Sequence, residues 1–147
     1  MSRSIATRIV CLSSIFLAGL FSDVRAQQLI GDYRAYISQN DIFNSSGARL
    51  TKPWEVIRQD RANYHRFGVK DQGDQFDSFF SSEENRAIAE RLISRGSIDP
   101  IAANRIIAGN VTIRVQIFGR PGVGEHLQVR VEEPSQTRIP GSSVVQD

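Results

Sequence analysis

Two runs near the C-terminus alternate apolar and polar residues, and they constrain the fold more than any other feature of the chain. The first apolar series is Val111, Ile113, Val115 and Ile117, and the second is Leu127, Val129 and Val131. Because successive side chains of a strand point to opposite faces, each run predicts a strand with one buried face. The glycine-rich segment 119–125 lies between them, so we expect an antiparallel hairpin.

Charge distinguishes between the pairing registers of this hairpin. A symmetric register places Arg114 opposite Arg130, whereas a shift of two residues places Arg114 opposite Glu132. Like charges that face each other directly across a ladder are unfavourable. The sequence therefore favours the shifted register.

Three helices are predicted ahead of the hairpin. The first spans 53–67, with Thr51 as its cap and a proline in its first turn. The second begins at the capping box 81–84, and the third begins at the Asp-Pro pair 99–100. Glycines mark the ends of the three helices: Gly68, Gly96 and Gly109.

These elements together predict a small single domain of the α+β class. Residues 33–37 alternate in the manner of a short strand, which is a candidate to join the hairpin. We therefore expect a C-terminal antiparallel β-hairpin, with or without this N-terminal strand, packed against about three helices. The expected domain spans 28–133, and the Pro- and Ser-rich segment 134–147 is expected to be a flexible tail.

The first 26 residues have the layout of a cleavable secretory signal peptide. Arg3 and Arg8 precede an apolar run over 9–21, and small residues stand at the third-last and last positions, ending at Ala26. The apolar run is too short to span a bilayer. We expect cleavage after Ala26 and a periplasmic or secreted product that has no membrane attachment.

Removal of this leader leaves a neutral domain without cysteine. The whole chain has 18 Lys and Arg against 16 Asp and Glu, and 15 of each remain after residue 26. Balanced charge argues against a nucleic-acid partner. The one cysteine, Cys11, lies in the leader, so the mature domain is expected to have neither disulfides nor Cys-ligated metal, and no cofactor is predicted.

The helix over 53–67 carries charged residues where packing favours apolar ones. Asp60 and Arg61 fall within the arc of its apolar residues, and Arg58 and His65 lie at the edge of that arc beside Trp54. A buried charge is unfavourable unless it is paired.

Two interpretations of this charge remain open. In the first, the charges pair inside the protein, and Arg61 meets an acid of the following loop, whose aspartates are Asp71, Asp74 and Asp77. In the second, a ligand supplies the partner, and the helix presents an anion or carboxylate site. The candidate ligand-binding residues of that site are Trp54, Arg58, Arg61 and His65.

The same acidic loop is a weak candidate for a metal site. Its acids, Asp71, Asp74 and Asp77, offer hard oxygen ligands with a glycine between the first two. Their spacing of three differs from that of an EF-hand loop, in which acids alternate. A solvated loop neutralised by arginines is the favoured interpretation, and no metal is predicted.

The chain contains no recognised catalytic motif. Its two histidines, His65 and His126, stand outside any familiar nucleophile or metal-ligand pattern. The favoured function is a small exported, non-enzymatic binding or interaction module whose partner is a small anion or a protein. The alternative is a small secreted hydrolase or transferase that uses His65 or His126 as a general base.

Overall fold

A computed structural model describes residues 27–133 of the chain. The predicted signal peptide, its cleavage point after Ala26 and the predicted tail over 134–147 lie outside the described residues. Within them, no helix is both long enough and apolar enough to cross a membrane.

The described residues form one mixed sheet with helices packed on it. The elements are β1 (Gln28–Ile37), α1 (Pro53–His65), α2 (Glu83–Ala87), α3 (Ala89–Ser94), β2 (Ser97–Ile98), α4 (Pro100–Ala108), β3 (Val111–Arg120) and β4 (Val123–Glu132). The strand order is β1-β3-β4-β2, and only β2 runs parallel to its neighbour. This confirms the α+β class, the C-terminal hairpin and the added N-terminal strand, although the described region has four helices instead of three.

The hairpin strands are longer than their alternation indicates. Gly119 and Gly124 face each other in the ladder. The turn that connects the two strands therefore consists of Pro121 and Gly122 alone. A Cβ atom on Gly119 would lie 2.2 Å from the carbonyl oxygen of Val123, which explains why glycine stands inside the strand. The sequence pattern predicts loop positions for both glycines, because glycine is a turn signal.

The register predicted for the hairpin is wrong. Arg114 lies directly opposite Arg130, as in the symmetric pairing, and on its other side it lies opposite Arg34 of β1. Acidic residues at neighbouring positions on the same face of the sheet offset the repulsion between these arginines. Asp32 accepts two hydrogen bonds from Arg114, at 2.8 and 2.6 Å, and Glu132 pairs with Arg34 at 2.7 Å.

The helix boundaries depart from prediction at two places. The cap of α1 comes from Glu55, whose carboxylate accepts the N–H groups of Thr51 and Lys52, both at 3.2 Å, and the hydroxyl of Thr51 is not used. The single helix expected after the capping box is divided into α2 and α3 at Ile88, whose ψ angle is 6°. Hydrogen bonds from Asn85 and Arg86 tie α2 to the preceding loop, whereas α3 packs on β4.

The core lies between the helices and one face of the sheet. All odd-numbered positions of β3 from 111 to 117 are buried there, as the alternation predicted. The helices contribute apolar residues to the same cluster: Val56, Ile57, Ala89, Leu92, Ile93 and Ile106. Helix α1 thus has one buried face, and its remaining positions are available for a site.

We expect Gly96→Ala to detach β2 from the sheet. A Cβ atom at this position would lie 1.6 Å from the carbonyl oxygen of Leu127, and backbone must move to admit it. Overpacking of this kind costs about 1–3 kcal/mol of unfolding free energy. Urea unfolding measures the loss, and amide hydrogen exchange at Ser97 and Ile98 reports the detachment. The exposed neighbour serves as control, since Ser97→Ala is expected to change stability by less than about 0.5 kcal/mol.

Candidate functional site

Arg61, the centre of the predicted anion site, lies inside the protein. Its side chain is 0% exposed, and Nε donates a hydrogen bond to Asp60 over 2.7 Å. Its Nη1 donates to Asp77 over 3.2 Å and to the carbonyl of Gln75 over 3.1 Å. The structure therefore places Arg61 in an internal ion-pair network, the first of the two interpretations given above.

Two tyrosine rings complete the surroundings of this guanidinium. The central carbon of Arg61 lies 4.6 Å from the ring centroid of Tyr33 and 4.7 Å from that of Tyr64. Cations are attracted to aromatic faces, most strongly where water is excluded. Helix α1 and strand β1 are thus joined through the same arginine.

The acidic loop reaches Arg61 because it bonds to the free edge of β1. The carboxylate of Asp74 accepts the N–H of Tyr36 at 2.8 Å, and the N–H of Gln75 donates to the carbonyl of Arg34 at 2.9 Å. These bonds pair the edge strand with a loop, which protects it from other strands. They also carry Asp77 beneath α1, where it meets Arg61.

Negative charge exceeds positive charge in this network. Asp60, Asp74 and Asp77 surround one arginine, and each of these carboxylate side chains is only 2% exposed. Burial raises the pKa of Asp60 to about 7, although Arg61 acts in the opposite direction. Burial lowers the pKa of Arg61, but the surrounding negative groups more than offset it, so the guanidinium stays protonated.

The other predicted ligand residues do not converge on one point. His65 belongs to the internal network, because its Nε2 lies 2.9 Å from the Asp77 carboxylate and its ring meets Tyr64 edge-on. Trp54 is half-buried and packs against the core. Arg58 is exposed and lies on a different side of α1. The four residues therefore do not line a shared cavity.

Two of the three acids of the metal candidate, Asp74 and Asp77, are occupied by hydrogen bonds. Asp74 accepts the N–H of Tyr36 and that of Asp71, and Asp77 accepts from Arg61, His65 and the N–H of Phe80. Within residues 27–133, no three His, Cys, Asp or Glu side chains form a group that could hold a metal ion. These carboxylates organise the loop.

The two histidines lie on opposite faces of the sheet. His126 stacks on Phe118 across the hairpin, with ring centroids 4.8 Å apart and planes 3° from parallel. This pair belongs to the face that the helices leave uncovered, whereas His65 lies on α1. A single reaction centre cannot use both side chains.

A different group of basic residues lies together beside Arg58. A hollow of about 170 Å³ separates α1 from α2, and we call it the arginine hollow. Its lining consists of Arg58, Gln59, Ala62, Arg66, Glu83, Arg86 and Ala87. Three cations therefore face one acid, Glu83.

Arg86 is the unusual member of the arginine hollow. The residue is only 7% exposed, yet its Nη1 donates to two backbone carbonyls, those of Phe80 and Ser81, at 2.6 and 3.0 Å. Among the residues the structure describes, no carboxylate lies within 4.0 Å of its guanidinium. Two carbonyl oxygens thus hold Arg86, while Glu84 attracts it without a contact, so an anionic ligand in the hollow would supply the contacting charge that the guanidinium lacks.

Sequence reasoning identified Arg58 but missed Arg66 and Arg86. Arg66 follows Arg58 by eight positions, so helical geometry places both on one side of α1, and this spacing was a usable signal. Arg86 lies in a separate helix, and no pattern in the sequence brings it to α1. Comparison of this chain with protein-family models, with curated proteins and with solved structures gave no match in any of the three.

Proposed function

We propose that the chain is a small exported, non-enzymatic binding module that holds a small anion in the arginine hollow. The ligand class is a carboxylate or an oxyanion such as phosphate. The observation that carries the proposal is the nearly buried Arg86, which makes no ion pair within 4.0 Å among residues 27–133 and lines the hollow together with Arg58 and Arg66.

The chemistry of the hollow suits a planar or tetrahedral oxyanion. Guanidinium groups present paired N–H donors that match two oxygens of one ligand. The volume of about 170 Å³ admits an ion of a few atoms and excludes a drug-sized molecule. Glu83, which also lines the hollow, disfavours binding of a highly charged anion, because its carboxylate repels negative charge at short distance.

Export is supported by the layout of the first 26 residues, with a basic start, an apolar run and Ala26 as the last residue before cleavage. The hydrolase alternative has less support. Within residues 27–133, neither His65 nor His126 has a serine or threonine hydroxyl at hydrogen-bond distance. His65 contacts Asp77 within the buried ion-pair network around Arg61, where its side chain is largely shielded from solvent.

Removal of two arginines tests the proposal. We expect the wild-type protein to bind inorganic phosphate or acetate and the Arg58→Gln, Arg66→Gln double variant to bind it at least about tenfold more weakly. Each lost charge-assisted hydrogen bond weakens binding by about 1.5–3 kcal/mol, and about 1.4 kcal/mol corresponds to a factor of ten. Arginine Nε–H resonances followed by NMR during titration give the dissociation constants.

A control of equal charge separates a site from general electrostatics. Arg95 and Arg130 are exposed and lie outside the hollow, so the Arg95→Gln, Arg130→Gln variant has the same net charge as the test variant. We expect this control to retain wild-type affinity. Equal weakening in both variants, or titration of the wild-type protein without movement of the Arg86 resonances, would contradict the proposed function.

A further inference from the structure

A second and larger cleft lies on the adjacent side of α1, and none of the described residues that line it carries a charge. It encloses about 640 Å³ between the loop that follows β1 and the end of α1. Asparagine, glutamine and serine side chains line it together with Phe43, Phe67 and Val69. We call it the amide cleft. Gln59 borders both this cleft and the arginine hollow.

The amides on the α1 wall are held in place from behind. Asn63 donates from Nδ2 to buried Asp41 over 2.8 Å, and Asp41 also accepts from the N–H and hydroxyl of Ser38. Gln59 in turn donates from Nε2 to the side-chain oxygen of Asn63 over 2.9 Å. The side-chain oxygen of Gln59 makes no hydrogen bond to another described residue. Because the amide is fixed through its nitrogen, this oxygen is an oriented acceptor that a ligand can use.

The opposite wall of the cleft is the loop that follows β1, and internal hydrogen bonds hold this loop in place. The side-chain oxygen of Asn44 accepts the N–H groups of Ser46 and Ala48, at 3.0 and 2.8 Å. The N–H of Leu50 donates to the carbonyl of Ile42, which closes the loop. The side chain of Asn40 makes no hydrogen bond within the described residues, and it lines the cleft with both donor and acceptor groups unused.

Two exposed phenyl rings supply the apolar part of the cleft. Phe43 is 39% and Phe67 54% exposed, although large apolar side chains are generally buried. Arg49 lies over the ring of Phe43 and Arg66 over that of Phe67, at 5.7 and 5.3 Å from the centroids. An exposed aromatic pair beside unused amides indicates a ligand that has both apolar and hydroxyl-bearing surfaces.

We propose that the amide cleft binds a neutral carbohydrate of two or three sugar rings. Hydroxyl groups donate and accept, as amides do, so Asn40 and Gln59 match them better than they match an ion. The C–H face of a sugar ring packs on a phenyl ring, and no charged side chain is among the described residues that line the cleft. A volume of about 640 Å³ falls within the range of small-molecule sites. The proposal does not rest on the anion site, although Gln59 lines both and Arg66 of the arginine hollow lies over Phe67.

Titration with three uncharged trisaccharides tests this assignment: maltotriose, cellotriose and triacetylchitotriose. We expect at least one of them, at about 10 mM, to shift the side-chain amide resonances of Asn40 and Gln59, because Kd values up to the millimolar range are then detected. Phe67→Ala is expected to weaken that binding at least tenfold. Phe76→Ala is the matched control, since Phe76 is an exposed phenylalanine outside the cleft, and it should leave the affinity unchanged.

Several outcomes would overturn the carbohydrate proposal. These are the absence of shifts with all three sugars, shifts confined to residues outside the cleft, or equal weakening by Phe67→Ala and Phe76→Ala. The anion site is judged separately, because phosphate should move the Arg86 resonances and leave those of Asn40 unchanged. Retention of the wild-type amide spectrum in each variant shows that a loss of binding does not arise from unfolding.

Discussion

The Arg61→Met variant is expected to lose a large part of the stability of the domain. Methionine preserves much of the side-chain volume, but it leaves Asp60 and Asp77 buried without the cation that now contacts both. Breaking a buried ion pair in this way costs about 3–5 kcal/mol, against a total stability of about 5–15 kcal/mol for a typical domain. Urea unfolding followed by circular dichroism at neutral pH measures the loss.

Helix α1 offers a matched control for this variant. Arg58 lies three positions earlier on the exposed side of the same helix, and Arg58→Met is expected to change stability by no more than about 0.5 kcal/mol. Neutralising one of the orphaned acids should recover part of the loss, so Arg61→Met combined with Asp60→Asn is expected to be more stable than Arg61→Met alone. Equal midpoints for wild type and Arg61→Met would refute the internal role of this arginine.

The domain is expected to be more stable near pH 5 than near pH 8. Burial raises the pKa of Asp60 to about 7 from its ordinary value of 3.8, so the folded state binds a proton that the unfolded state releases. The stabilisation is complete below the unfolded pKa and is lost as the pH rises through about 7. A shift of this size corresponds to on the order of 4 kcal/mol, the largest effect that this group alone could have.

The neighbours of Asp60 explain why a proton is retained there. Arg61 favours the ionised carboxyl, but Asp41 and Asp74 lie close enough to oppose it, and burial has the largest effect. Urea midpoints measured from pH 4.5 to 8.5 follow the change in stability. In Asp60→Asn this dependence should flatten, because the asparagine cannot release a proton. A wild-type midpoint that rises steadily from pH 5 to 8 would show that Asp60 is ionised throughout.

Sequence patterns predicted the elements of this fold that depend on local periodicity. The alternation from Val111 onward identified the hairpin, and the helix α4 begins at its Asp-Pro pair and ends at Gly109 as expected. Strand β2 was missed because two residues cannot show a period. The predicted register is wrong because it considers only the partners of Arg114 within the hairpin, Arg130 and Glu132, whereas the acid that relieves its charge, Asp32, lies 82 residues away on another strand.

The candidate site was only partly predictable, for a similar reason. Helical geometry placed Asp60 and Arg61 within the packed arc of α1, but it did not say which acid of the next loop would reach them. The position of this loop depends on the edge of β1, where the backbone groups of Arg34 and Tyr36 form hydrogen bonds with it. Arg58 was a candidate from the sequence, but its proximity to Arg86 depends on the position of α2, which no sequence pattern indicates.

The pairing of β1 with β3 also determines when the sheet can form. Paired residues of these strands are separated by 74 positions at one end, Ile37 with Val111, and by 91 at the other, Gln28 with Gly119. Strand partners so distant in the chain close slowly, and synthesis releases the first strand long before its partner exists. The four-stranded sheet therefore cannot be completed until most of the chain has been synthesised.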